Sequence, residues 1–95
     1  MRMSIMYGLN IEKINELGAN WYNVVLDIAE YLESKGFQYS RTQGFVSEGE
    51  VTEIELKEIG EEIIDIALGV DNLLYLEAAE IGDTISFTGD DFRNQ

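Results

Sequence analysis

Two stretches of this chain carry apolar residues at helical spacing on one side only. In NWYNVVLDIAEYLESK, residues 20–35, Trp21, Val25, Ile28 and Leu32 fall on one stripe. In VTEIELKEIGEEIIDIALG, residues 51–69, Leu56, Ile59, Ile63 and Ile66 form a second stripe that Val70 would extend. A helix with one apolar face is stable only when that face is covered, and 95 residues have room for one core. Both stripes must therefore be buried in that one core, most simply on one face of a sheet.

The rest of the chain supplies that surface. In MSIMYGLNI, residues 3–11, Met3, Ile5, Tyr7 and Leu9 alternate with Ser4, Met6, Gly8 and Asn10, the period of a strand. Residues 12–19 read as an irregular or one-turn connector around Gly18. In residues 37–50, Phe37, Tyr39, Arg41, Gln43 and Phe45 share one parity, as one long strand or a short hairpin, with Gly44 marking a bulge or close approach. AEIGDTISFT, residues 79–88, reads as the last strand, with Ile81, Ile85 and Phe87 as its apolar face. Either Gly69 ends the second helix, or LGVDNLLYL continues it after a break.

Helix-end signals agree with this order. Asn20 is an N-cap for the first helix, Lys35 complements its negative end, and Gly36 suits the left-handed position beyond it. Thr52-x-x-Glu55 is a capping box opening the second. Gly60, inside that helix, predicts close packing or a kink. Strand, helix, strand, helix, strand predicts a single α+β domain over residues 1–95: a ferredoxin-like sandwich, with a small antiparallel or mixed sheet and two helices on one face. The other sheet face would be open to solvent or to a second copy, so a homodimer through the sheet is an expectation.

Charge narrows the function. Nineteen acids oppose six bases, a net charge of −13. Residues 1–47 are near neutral, and residues 48–95 hold fourteen of the acids and only Lys57 and Arg93 as bases. A nucleic-acid binder needs a basic patch, and anionic membranes repel such a chain. Neither direct nucleic-acid nor membrane binding is expected. No apolar run approaches the roughly 20 residues of a membrane span, and MRMSIMYGLN lacks a signal peptide's apolar region, so a cytoplasmic protein is expected. With no histidine and no cysteine, Ser–His and Cys–His nucleophiles and the usual zinc ligand sets are excluded. No phosphate-cradling glycine motif and no calcium loop is present. No catalytic residue, metal ligand or cofactor is assigned.

The second helix concentrates the charge. Glu55, Glu58, Glu62 and Asp65 lie three or four residues apart, within about 80° of arc and over about 15 Å of axis. Glu53 and Glu61 bring the carboxylates to six, against Lys57 alone. Like charges at these spacings repel by a few tenths of a kcal/mol each, and interspersed lysines would have removed that cost. Such a face either keeps the protein soluble or presents carboxylates where a partner expects phosphates. Rows about 5 Å apart approach the phosphate density of a nucleic-acid strand, about one per 3.4 Å. A surface of this kind is steered onto a basic nucleic-acid-binding cleft.

MYGLNI at 6–11 and YNVVLDIAEYLESKGFQYSRTQGF at 22–45 carry Asp27-Ile28, Gly36-Phe37 and Gln43-Gly44 in order. In these the chain resembles the virulence-associated protein D family, and EIGDTISFTGDDF at 80–92 is similar to its closing strand. The resemblance covers about half the chain. It implies a ferredoxin-like fold, shared with small CRISPR-adaptation nucleases, and a dimeric, metal-assisted ribonuclease with an Asp at the end of strand one. That position here matches Asn10, which lacks the charge to hold a divalent cation, and Glu80 and Asp83 stand where the family has basic residues. The resemblance thus implies a scaffold that has lost the nuclease and turned acidic.

The function expected from the sequence is a small acidic inhibitor that binds a basic nucleic-acid-binding protein through Glu53, Glu55, Glu58, Glu61, Glu62 and Asp65, as a nucleic-acid mimic. In size and charge it resembles phage anti-CRISPR and anti-restriction proteins. The alternatives are a ribonuclease using Asp27 or Glu12 with a metal, and a structural or oligomeric accessory protein.

Overall fold

The computed structural model describes residues 1–81. Its elements run β1 (Arg2–Leu9), α1 (Ile11–Glu16), α2 (Trp21–Ser34), β2 (Phe37–Ser40), β3 (Gly44–Ser47), α3 (Glu53–Ile66), a 3-10 turn (Val70–Asn72) and β4 (Leu73–Ile81). The strands form one sheet in the order β2-β3-β1-β4, and every neighbouring pair is antiparallel. The connection from β1 to β2 skips β3, and that from β3 to β4 skips β1. This is a ferredoxin-like α+β sandwich, with an antiparallel sheet.

The alternation in β1 sets the layers. Met3 and Ile5 are buried and Tyr7 and Leu9 pack at the margin of the core, whereas Met6 on the opposite face is exposed. The helices cover the Met3 face. Val24, Ile28 and Leu32 of α2 and Ile59, Ile63 and Ala67 of α3 meet Phe37 and Phe45 there. Among the described residues no helix covers the other sheet face. The α2 stripe is rotated from the expected one: Val24 takes the buried place, and Trp21 and Val25 lie on its flank. Residues 12–19 are more regular than expected. α1 buries Ile14 completely, and its N-cap is Asn10, so the first strand stops at Leu9.

Residues 37–50 form the hairpin. β2 and β3 pair from Phe37↔Ser47 to Ser40↔Gly44, and residues 41–43 make the turn. Arg41 therefore sits in the turn and not on a strand. Gly44 closes the turn at φ 75°, and a Cβ built there would stand 2.6 Å from the Ile5 carbonyl oxygen. This position requires glycine both for its left-handed backbone and for the close approach of β3 to β1.

α3 begins with the expected capping box. The Glu55 N–H donates to Thr52 Oγ1 at 3.1 Å, and the Thr52 N–H donates to Glu55 Oε1 at 3.3 Å. The helix runs unbroken through Gly60, where a Cβ would meet nothing within 4 Å, so the expected packing contact or kink is absent. At the other end, the Leu68 N–H donates to the Asp65 carbonyl and the Gly69 N–H to the Ile64 carbonyl, with Leu68 itself at φ 67°. This bond pair is a Schellman motif, and it turns the chain out of the helix before Val70, which is exposed. The buried Asn72 side chain donates to the Ala67 carbonyl at 3.0 Å and holds the turn.

The last strand begins earlier than expected. β4 pairs along β1 from Arg2↔Ile81 to Leu9↔Leu73, with a bulge at Gly8/Leu9 that leaves Leu74 without a place in the register. LGVDNLLYL thus supplies the 3-10 turn and the start of a strand, and no continuation of α3. Residues 82–88 of the expected strand, with Ile85 and Phe87, lie outside the described residues. No helix among the described residues is long and apolar enough to cross a membrane.

One substitution at two glycines should have opposite signs. Gly44→Ala imposes a left-handed alanine and a clash with β1, and thermal unfolding should show a loss of about 2 kcal/mol or more. Gly60→Ala fills open space in a regular helix and should gain about 0.5–1 kcal/mol, a rise in Tm of roughly 4 °C.

Candidate protein-binding face

The buried side of α3 fixes where its acids point. With Ile59 and Ile63 against the sheet, Glu55, Glu58, Glu62 and Asp65 fall along one flank, and Glu61 falls opposite the core. Glu53 lies one turn before Lys57 and Glu61 one turn after it. All six carboxylate residues are exposed. Among the described residues no ion pair within 4 Å joins any of the six to a cation. Glu55 is partly committed: one carboxylate oxygen receives the Thr52 N–H and, at 3.0 Å, the Thr52 hydroxyl.

The flank faces α2. Burial raises the pKa of the Tyr31 phenol on α2, and the charges of Glu62 and then Glu58 raise it further. Lys35 Nζ stands 5.8 Å from the centre of the same ring. Tyr31 also lines a shallow cleft with Asp27, Glu30 and Ser34. The acidic face therefore continues from α3 over Tyr31 onto α2. At the other end, a cleft of about 250 Å³ between the end of α2 and the start of α3 is lined by Lys35 together with Glu48, Glu50, Glu55 and Glu58. The sequence reading missed Asp27 and Glu30 as neighbours of the stripe. The available signal was the four-residue spacing of Asp27 and Tyr31, which puts them on one side of α2.

The residues of the alternative reading have other surroundings. Asn10 Oδ1 accepts the Lys13 N–H at 3.2 Å, so this side chain caps α1. Glu12 is exposed on α1 and Asp27 is exposed on α2. Among the described residues no group of three or more acids is positioned to hold a metal ion. Asp83, Asp90, Asp91 and Arg93 lie outside the described residues. Comparison of the chain with protein-family models, with curated proteins and with solved structures found no match.

The Tyr31 phenol reports on the acidic flank. Replacing Glu58 and Glu62 by glutamine should lower its pKa toward the ordinary tyrosine value, read by NMR titration. The Tyr7 pKa, raised by burial and then by Tyr39, should not move. The sign for stability follows: a raised phenol pKa favours folding fully below about pH 10, and that contribution is lost as pH climbs through the folded value.

Proposed function

We propose that this protein is a small acidic inhibitor that binds a basic nucleic-acid-binding protein, using the carboxylates of α3 in place of nucleic-acid phosphates. The observation that carries this reading is the exposure of Glu53, Glu55, Glu58, Glu61, Glu62 and Asp65 without a cationic partner among the described residues. A face meant only to be soluble gains nothing from crowding six carboxylates around one lysine on a helix. A face meant to be bound needs its carboxylates free to receive lysine and arginine. Asp27 and Glu30 widen the face beyond a single row, as the continuation over Tyr31 implies.

Such binding would be fast and salt-sensitive, because steering by a net charge of −13 is long-ranged and is screened over about 10 Å at ordinary ionic strength. The triple variant Glu58→Lys, Glu62→Lys, Asp65→Lys tests it. All three side chains are exposed, so the fold should survive. Capture of a basic protein from host lysate by the immobilised chain, after nuclease treatment, should fall at least tenfold in the folded variant. Equal capture by both proteins would overturn the proposal.

A further inference from the structure

A second concave surface lies on the other flank of α2. β4 pairs along the whole of β1, but β3 pairs with it only at Ser4↔Val46 and Ile5↔Phe45. The Met3 N–H donates to Ser47 Oγ and the Ile5 carbonyl lies under Gly44, so alternate residues of β1 direct their backbone groups toward β3. Tyr7 follows the same direction, beyond the end of that ladder. The short hairpin thus leaves a groove of about 590 Å³ between β1, the turn and the flank of α2, within the range of small-molecule sites.

Its walls are aromatic. Tyr7, Trp21, Tyr39 and Phe45 line it with Val25, and the Tyr39 and Phe45 rings meet edge to face at 5.4 Å. Tyr39 is 67% exposed and Trp21 38%, so both rings keep surface accessible to solvent. The Tyr7 phenol has no hydrogen-bond partner among the described residues, and burial, then Tyr39, raises its pKa. Arg41 stands in the hairpin turn at the rim. In a chain with nineteen acids and six bases, Arg41 makes no ion pair with any described residue. β2 follows the end of α2, and Arg41, in the turn beyond it, lines the same groove as Trp21. Glu33 lines the opposite end, about 18 Å along α2 from Trp21. Its charge repels an anion from that end of the groove.

We propose that this groove binds a small aromatic acid, its ring against Trp21, Tyr39 and Phe45 and its anionic group on Arg41. Flat rings suit edge and face contacts with these side chains, and a guanidinium receives a carboxylate by two parallel hydrogen bonds. The site is separate from the acidic face and stands or falls without it.

Naphthoate and its neutral counterpart naphthylmethanol are suitable probes, because Trp21 is the chain's one tryptophan and its indole N–H resonance reports binding directly. Naphthoate should shift that resonance saturably. Arg41→Gln should weaken naphthoate about tenfold and leave naphthylmethanol unchanged, the scale of one lost charge-assisted hydrogen bond. Tyr39→Ala should weaken both. Arg41 and Tyr39 are exposed, and circular dichroism verifies that each variant is folded. An absence of saturable shifts, shifts confined to other residues, or unchanged naphthoate affinity in folded Arg41→Gln would overturn the proposal.

Discussion

Strand β1 is the element on which the rest of the structure depends. Its odd-numbered side chains enter the core beneath the helices, and its backbone bonds to β3 on one side and β4 on the other. A one-residue slip would carry Met3 and Ile5 to the open face and expose the surface that α2 and α3 need. Neighbouring contacts secure the register. Ser47, itself buried, receives the Met3 N–H at 2.9 Å, and the Val51 N–H donates to the Met1 carbonyl at 2.7 Å. Gly44 lets β3 approach closely enough for this pairing. At Gly8, on the β4 side, the Tyr75 ring occupies the space a side chain would fill.

The two surfaces of interest follow from unequal coverage of this strand. On the β4 side the ladder is complete. On the β3 side it stops after Ile5, and the missing strand length becomes the aromatic groove. The helices divide the remaining surface. One flank of α2 borders the groove, and the opposite flank, at Asp27 and Tyr31, meets the acidic flank of α3. Burying Ile59 and Ile63 leaves Glu58, Glu62 and Asp65 directed to solvent beside α2, so packing and charge presentation come from the same helical period.

Much of this was legible because local signals and tertiary packing agree. The alternation of Met3, Ile5, Tyr7 and Leu9, the Thr52–Glu55 capping box and the exposure of all six α3 acids follow from period and capping chemistry. The misreadings arose where a single residue breaks a period. The bulge at Leu74 interrupts the alternation of β4, so the sequence leaves open whether LGVDNLLYL continues the helix or follows its end. Leu68 adopts a conformation usually left to glycine, so the left-handed position that ends α3 lies one residue before Gly69. Periodicity locates a helical stripe only to within a residue or so, because the surface beneath decides its centre, and Val24 displaced Trp21 and Val25 from the core for that reason. The groove was not legible at all, since it depends on where one ladder stops relative to another.

The account rests most heavily on the claim that α3 stands in for nucleic acid. Competition is its most direct test: once a basic partner has been captured, its binding to labelled nucleic acid is titrated with this protein at fixed salt. The account predicts mutually exclusive binding, with nucleic acid released in proportion to the protein bound. A ternary complex in which the partner holds both at undiminished affinity would contradict it.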